Sequence, residues 1–148
     1  AGLSMGGYGA WKLGLGAGET FGAAASLSGA LDMAANYRRN EAMATDAKRF
    51  ALLQGIFGSA EKLEGSDNDL LALAEKRVSE GKELPRLFAW CGKEDFLYQD
   101  NRRAWEHVRK LGYDLTCQEP PGDHQWKYWD EKIQDVLRWW LGTDLDLQ

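Results

Sequence analysis

Gly2-Leu3-Ser4-Met5-Gly6, running on into Gly7-Tyr8-Gly9-Ala10-Trp11, is the stretch on which the fold turns. It reads G-x-S-x-G immediately ahead of a helix-forming segment of small residues, the arrangement of a serine held on a sharp strand-to-helix turn. Such a turn strains the serine backbone, and the residues two before and two after it must be small so that the backbones can pass closely. A helix beginning after Ser4 would aim free N–H groups at the hydroxyl, and the N–H of Met5 would be one donor to an oxyanion developing there. Five-residue patterns of this kind also arise by chance in glycine-rich loops, so the rest of the chain has to carry the matter.

Tyr8 to Leu15 mixes small and large apolar residues, as a helix packed closely on a sheet requires. Phe21 to Leu31 is a short apolar run bounded by glycines and reads as a buried parallel strand, although its alanines leave a helix open. From Asp32 to about Glu83 charged residues mix with isolated apolar anchors such as Phe50, Leu53, Ile56 and Phe57. This is an excursion between strands, residues 32–83, and a candidate lid. Within it Ser66 or Asp67 is placed to cap a helix reaching about Glu80, with Gly81 ending it. Leu87 to Cys91, Gln99 to Leu111 and Leu115 to Glu119 then read as strand, helix and strand. Trp129, Ile133, Val136, Leu137 and Trp140, at spacings of three and four, mark a last amphipathic helix. Strands alternating with helices predict an α/β fold, a parallel sheet covered on both faces.

In α/β-hydrolases the catalytic residues follow the order serine, acid, histidine. Here Asp95 follows the strand ending at Cys91, and His124 follows the strand ending near Glu119. Functional groups of parallel sheets gather beyond the carboxyl ends of the strands, where all three residues would fall. His107, the other histidine, falls mid-helix, which leaves His124 as the base. For the acid Asp95 is favoured, with Glu94, Asp123 and Asp32 as rivals. Tyr8, Trp126 and Trp129 flank these positions, either as aromatic walls of a substrate pocket or as packing residues.

The 148 residues fit one domain, spanning 1–148. Net charge is −5 with scattered lysines and arginines, which offers no electrostatic footprint for nucleic acid. No apolar stretch approaches the roughly 20 residues that span a bilayer. Two cysteines, Cys91 and Cys117, each in a strand-like run, read as free thiols and lean towards a cytoplasmic location. Two histidines without a ligand-spaced partner exclude a zinc site of ordinary composition. The chain opens on Ala1 without an initiator methionine or a leader pattern, as a polypeptide beginning inside a larger fold would.

Gly-Leu-Ser-Met-Gly-Gly-Tyr-Gly-Ala at 2–10, Trp90-Cys91-Gly92-Lys93-Glu94-Asp95-Phe96-Leu97-Tyr98, and Gly122-Asp123-His124-Gln125-Trp126-Lys127-Tyr128-Trp129-Asp130 together resemble the esterase D-like group of α/β-hydrolases. That group includes S-formylglutathione hydrolases, tributyrin esterases and feruloyl esterase domains, and the blocks look most like the tributyrin-esterase branch. The resemblance implies a serine esterase of short-chain acyl or aryl esters, with Ser4, Asp95 and His124 as its triad and no metal or organic cofactor. It also implies that the amino-terminal strands of the fold, and with them the second oxyanion donor, are lacking here. The expected partners are therefore a small-molecule ester and either the missing amino-terminal half or a second copy of the chain. The alternatives are an acyltransferase using the same triad, or a non-catalytic segment.

Overall fold

The computed structural model describes residues 1–43 and 46–142. The last part of the domain expected to reach 148 lies outside the described residues. Four strands, β1 (Gly2–Leu3), β2 (Ala23–Leu27), β3 (Arg86–Trp90) and β4 (Leu115–Gln118), form one parallel sheet in the order of the chain. The register sets Leu3 opposite Leu27, Leu27 opposite Trp90 and Trp90 opposite Gln118. All four strands therefore finish on one level rim. The ladder continues one step further, through Ser4 N–H to Leu27 O (2.9 Å), Ser28 N–H to Trp90 O (2.7 Å) and Cys91 N–H to Gln118 O (3.1 Å).

Between β1 and β2 lies α1 (Met5–Gly16). The excursion from β2 to β3 holds α2 (Met33–Met43), α3 (Ala47–Phe57), α4 (Ala60–Leu63) and α5 (Leu70–Ser79). Helix α6 (Tyr98–Lys110) joins β3 to β4, and α7 (Trp126–Leu141) follows β4. Because the strand order never reverses, crossovers of one hand leave the connecting helices on one face. Alternation along β3 shows the result. Leu87, Ala89 and Cys91 face the larger core, with Trp11, Leu15, Leu73, Ala104 and Val108, whereas Phe88 and Trp90 turn to a smaller core under Trp129 and Val136 of α7. The expected parallel sheet with helices on both faces is thus what the chain forms.

Three local readings need correction. The strand expected over 21–31 covers only Ala23–Leu27, because Ser28 takes φ 49° and turns the chain out of the sheet. The cap of α5 is Asp69, whose carboxylate accepts from the N–H groups of Leu71 and Ala72, in place of Ser66 or Asp67. The excursion is more regular than one capped helix: Asp46 and Ser59 cap α3 and α4 by accepting from Arg49 and Lys62. It is tied to the rest by Tyr113 Oη donating to Ala74 O (3.0 Å) and by the buried Arg77 donating to Leu15 O (3.1 Å), while Arg77 also braces the end of the excursion at Glu83 O (2.6 Å). Among the described residues no helix is long and apolar enough to cross a membrane.

Candidate active site

Ser4 stands between β1 and α1 with φ 51° and ψ −123°, a conformation that L-residues adopt only under constraint. The constraint is the crowding around it. A Cβ on Gly2 would lie 2.2 Å from Gly6 O, and one on Gly7 would lie 2.5 Å from Ser26 Oγ. Gly6 itself has open space where its side chain would be, so the second close approach falls one residue later than the pattern suggested. Ser4 O accepts from Gly7 N–H (3.0 Å) and Tyr8 N–H (3.2 Å). The amides of Met5 and Gly6 donate to nothing among the described residues, and they open the helix next to the Ser4 hydroxyl.

The loops after β3 and β4 are fastened to one another. Lys93 N–H donates to Pro120 O (3.0 Å), Glu94 N–H donates to Gly122 O (3.0 Å), and the Glu94 carboxylate accepts from Gly122 N–H. Any Cβ on Gly92 would strike Gly122 O at 2.0 Å, so glycine is required where the two backbones touch. This fastening sets Asp95 Oδ2 2.9 Å from His124 Nδ1, while His124 Nε2 lies 2.9 Å from Ser4 Oγ. The other carboxylate oxygen of Asp95 accepts from Leu97 N–H at 2.9 Å. Burial disfavours the charge on Asp95, but hydrogen bonds from His124, Leu97 N–H and Ser28 outweigh it and hold the carboxyl below its ordinary range.

Two residues that sequence reasoning passed over support this group. Ser28 is fully buried, and its Oγ accepts from the Trp129 indole N–H (3.1 Å) while bonding to Asp95. Trp129 in turn stands edge-on to the His124 ring, with centroids 4.8 Å apart. Phe96, 60% exposed, also packs against that ring, with centroids 4.7 Å apart. Ser28 could have been found from its place on the level rim of strand ends; nothing in the sequence marks Phe96.

The rival acids lie elsewhere. Asp32 pairs with Arg103 Nε at 2.8 Å, Glu94 holds Gly122, and Asp123 accepts from Gln125 Nε2 at 2.5 Å. His107 faces Glu75 on α5, 3.1 Å away, and not the serine. Tyr8 is buried in the core, edge-on to Phe57 and donating to Asn68 O at 2.7 Å, so it forms no open wall. Trp126 is 70% exposed and leans on Trp129 beside a groove that also takes in Leu3 and Ile133. Cys91, buried beside Asp95, has its thiol pushed up chiefly by burial. Among the described residues no group of His, Cys, Asp and Glu side chains is placed to hold a metal ion.

A parallel sheet with a strained serine after one strand and an acid and a histidine after two later ones defines the α/β-hydrolase class. A sequence profile of the family described as "Putative esterase" matches residues 1–140, and the chain belongs to that family. It is 34% identical over 144 residues to an acetyl esterase of Caldicellulosiruptor saccharolyticus, covering 93% of this chain and 52% of that protein. Among solved structures it resembles the S-formylglutathione hydrolase of Staphylococcus aureus, with TM-score 0.76 and 32% identity over 93% of this chain and 52% of the other. It also resembles the fluorophosphonate-binding serine hydrolase F of the same organism, with TM-score 0.78, 34% identity and coverages of 93% and 51%. The chain thus spans about half the length of the relatives it matches.

Proposed function

We propose that this chain carries the catalytic triad of a serine carboxylic-ester hydrolase, with Ser4 as nucleophile, His124 as general base and Asp95 as the residue that orients and stabilises the imidazole. The observation that carries the reading is the unbroken relay from Ser4 Oγ through His124 to Asp95, with both links at 2.9 Å. Nε2 takes the hydroxyl proton as Oγ attacks the ester carbonyl, and Nδ1–H donates to the carboxylate. The carbonyl oxygen becomes an oxyanion facing the unpaired Met5 N–H. Collapse expels the alcohol with the proton from Nε2 and leaves an acyl-serine. The same histidine then activates water to release the acid.

A short-chain acyl or aryl ester is the substrate class, in keeping with the esterase relatives. Residues 32–83 form part of the same domain and serve as its cap. The outer edge of β1 is unpaired in the sheet, and a groove beside it is lined by Leu3, Leu27, Trp126 and Ile133. A further stretch of polypeptide covering that edge would supply a second oxyanion donor, whose absence typically lowers turnover by about 10²- to 10³-fold. Free thiols at Cys91 and Cys117 favour a cytoplasmic setting.

The test is labelling with a fluorophosphonate, read by intact mass, on wild type, Ser4→Ala and His124→Ala. An adduct on wild type alone is expected. A folded wild-type chain that takes no label, even when supplied with the amino-terminal half of a relative, would overturn the assignment.

A further inference from the structure

Asn101, in the first turn of α6, is fully buried, and its side-chain amide is spent on two backbone carbonyls. Nδ2 donates to Gly29 O at 2.9 Å and to Leu97 O at 3.0 Å. Leu97 O already takes the Asn101 backbone N–H at 2.9 Å, so the contact the side chain adds across the molecule is the one to Gly29. The amide's own oxygen has no partner among the described residues. A buried acceptor left without a donor is unfavourable, so packing alone does not account for an amide at this place. What its two hydrogens hold does.

Both carbonyls belong to turns that touch Asp95. Leu97 is the residue whose N–H donates to Asp95 Oδ1 at 2.9 Å, and Gly29 follows Ser28, whose hydroxyl bonds to the same carboxylate. Ser28 keeps φ 49°, a conformation its surroundings have to sustain. Its N–H is held by Trp90 O at 2.7 Å, and the next carbonyl, that of Gly29, is held by Asn101. Gly29 also lies against the elbow, since a Cβ on Gly7 would come 3.0 Å from Gly29 Cα. One amide thus ties the turn after β2, which abuts α1, to the start of α6, which continues from Asp95.

We propose that Asn101 is a positioning residue of the triad: by joining Gly29 to Leu97 it sets the Asp95 carboxylate at Nδ1 of His124, and so fixes which ring nitrogen carries the proton and which faces Ser4. It acts through Asp95 and not on the substrate. The inference rests on the esterase reading for its effect on turnover, and on the Asp95–His124 contact alone for its effect on the ring.

With only two histidines in the chain, the ring can be read directly by nitrogen NMR on isotopically labelled histidine in mildly alkaline solution. Wild-type His124 should be held in the Nδ1–H tautomer, which donates to Asp95 and leaves Nε2 open to Ser4. Asn101→Leu, close in shape and without donors, should let both tautomers appear. His107, further along the same helix, should keep its wild-type signal. Losing the orienting carboxylate altogether costs roughly 10⁴-fold in turnover. One that is only misaligned should cost less, so kcat should fall about 10- to 100-fold with KM within about twofold. Asn101→Ser, with a single donor, should fall between, and it carries the same reading if Asn101→Leu does not fold. Ala104→Gly weakens the buried face of α6 while keeping both bonds, and should lose stability but keep the wild-type tautomer and kcat.

A wild type showing both tautomers, or Asn101 variants that keep either the single tautomer or the wild-type kcat, would overturn the proposal. So would an equal change of tautomer in Ala104→Gly, which would reduce Asn101 to part of the packing. Fluorophosphonate labelling of the same proteins keeps the two readings apart. An unlabelled wild type with His124 in a single tautomer removes the esterase reading, and the tautomer in the variants still decides the role of Asn101.

Discussion

Replacing Ser28 by alanine removes an oxygen that serves two buried groups. The Trp129 indole N–H loses its acceptor at 3.1 Å, and Asp95 loses one of three hydrogen bonds that hold its charge. Leaving a buried donor unsatisfied costs about 1–3 kcal/mol, so Ser28→Ala should lower stability at neutral pH by about 2 kcal/mol. Ser28→Gly makes the same deletion, but relieves a φ of 49° that alanine must also adopt, and should recover about 1 kcal/mol of the loss. The sign with pH follows from Asp95. Its carboxyl lies below the ordinary range in the folded chain, so the stability it contributes is present above the unfolded-state value and is lost as pH falls through the folded one. The Asp95 share of the gap between wild type and Ser28→Ala should therefore close in acid, while the indole share persists. With Asp95 less firmly charged and Trp129 free to shift against His124, kcat/KM for a neutral aryl ester should fall about tenfold, equivalent to ~1.4 kcal/mol. Urea unfolding at several pH values, together with steady-state hydrolysis, reads all of these. Equal stability of Ser28→Ala and wild type at pH 7, with unchanged kcat/KM, would refute the reasoning.

Asp95→Asn should leave the fold intact and lower kcat by roughly 10⁴-fold, because an amide at that place holds the imidazole in the wrong tautomer; circular dichroism and ester hydrolysis would check this. Gly2→Ala should abolish the elbow and destabilise the chain by more than about 3 kcal/mol, since its Cβ meets Gly6 O at 2.2 Å, whereas Gly6→Ala should be neutral or stabilise by up to about 1 kcal/mol in thermal unfolding. Arg77→Met should cost about 2–4 kcal/mol by leaving the carbonyls of Leu15 and Glu83 without a donor, read by urea unfolding.

The parallel sheet was legible because each strand is a short apolar run and each connecting helix is amphipathic or rich in small residues. The spacing of Ser4, Asp95 and His124 was legible because all three follow strand ends. What escaped the sequence are features fixed by juxtaposition. Gly7, not Gly6, meets the neighbouring backbone, because helix rotation decides which glycine faces Gly29 and Ser26. Tyr8 looked like a pocket wall from its place near the serine, yet one turn into α1 it points into the core and reaches Asn68, sixty residues away. Among the described residues, three of the four helices in the excursion hid behind weak periodicity, since much of their stabilisation comes from caps such as Asp46 and Ser59 and from longer-range ties such as Tyr37 Oη to Gly58 O at 2.5 Å. Phe96 carries no local signal, because its place beside His124 depends on how the β3 and β4 loops are fastened.

That fastening divides the site into parts of very different reach along the chain. Asp95 and His124 are 29 residues apart, whereas His124 and Ser4 are separated by 120. During synthesis at about 5–20 residues per second, Ser4 is joined to the chain roughly 6–24 seconds before His124. Through that interval the hydroxyl is an ordinary alcohol, unable to attack the esters of the cell or to be trapped by an electrophile. The strand–helix–strand unit that carries Asp95 and His124 is fastened by its own loop contacts, and on the proposed assignment Ser4 is switched on only when that unit docks against the elbow. The long separation thus works as a timer on the proposed assignment: reactivity appears only after His124 has been made and brought to Ser4.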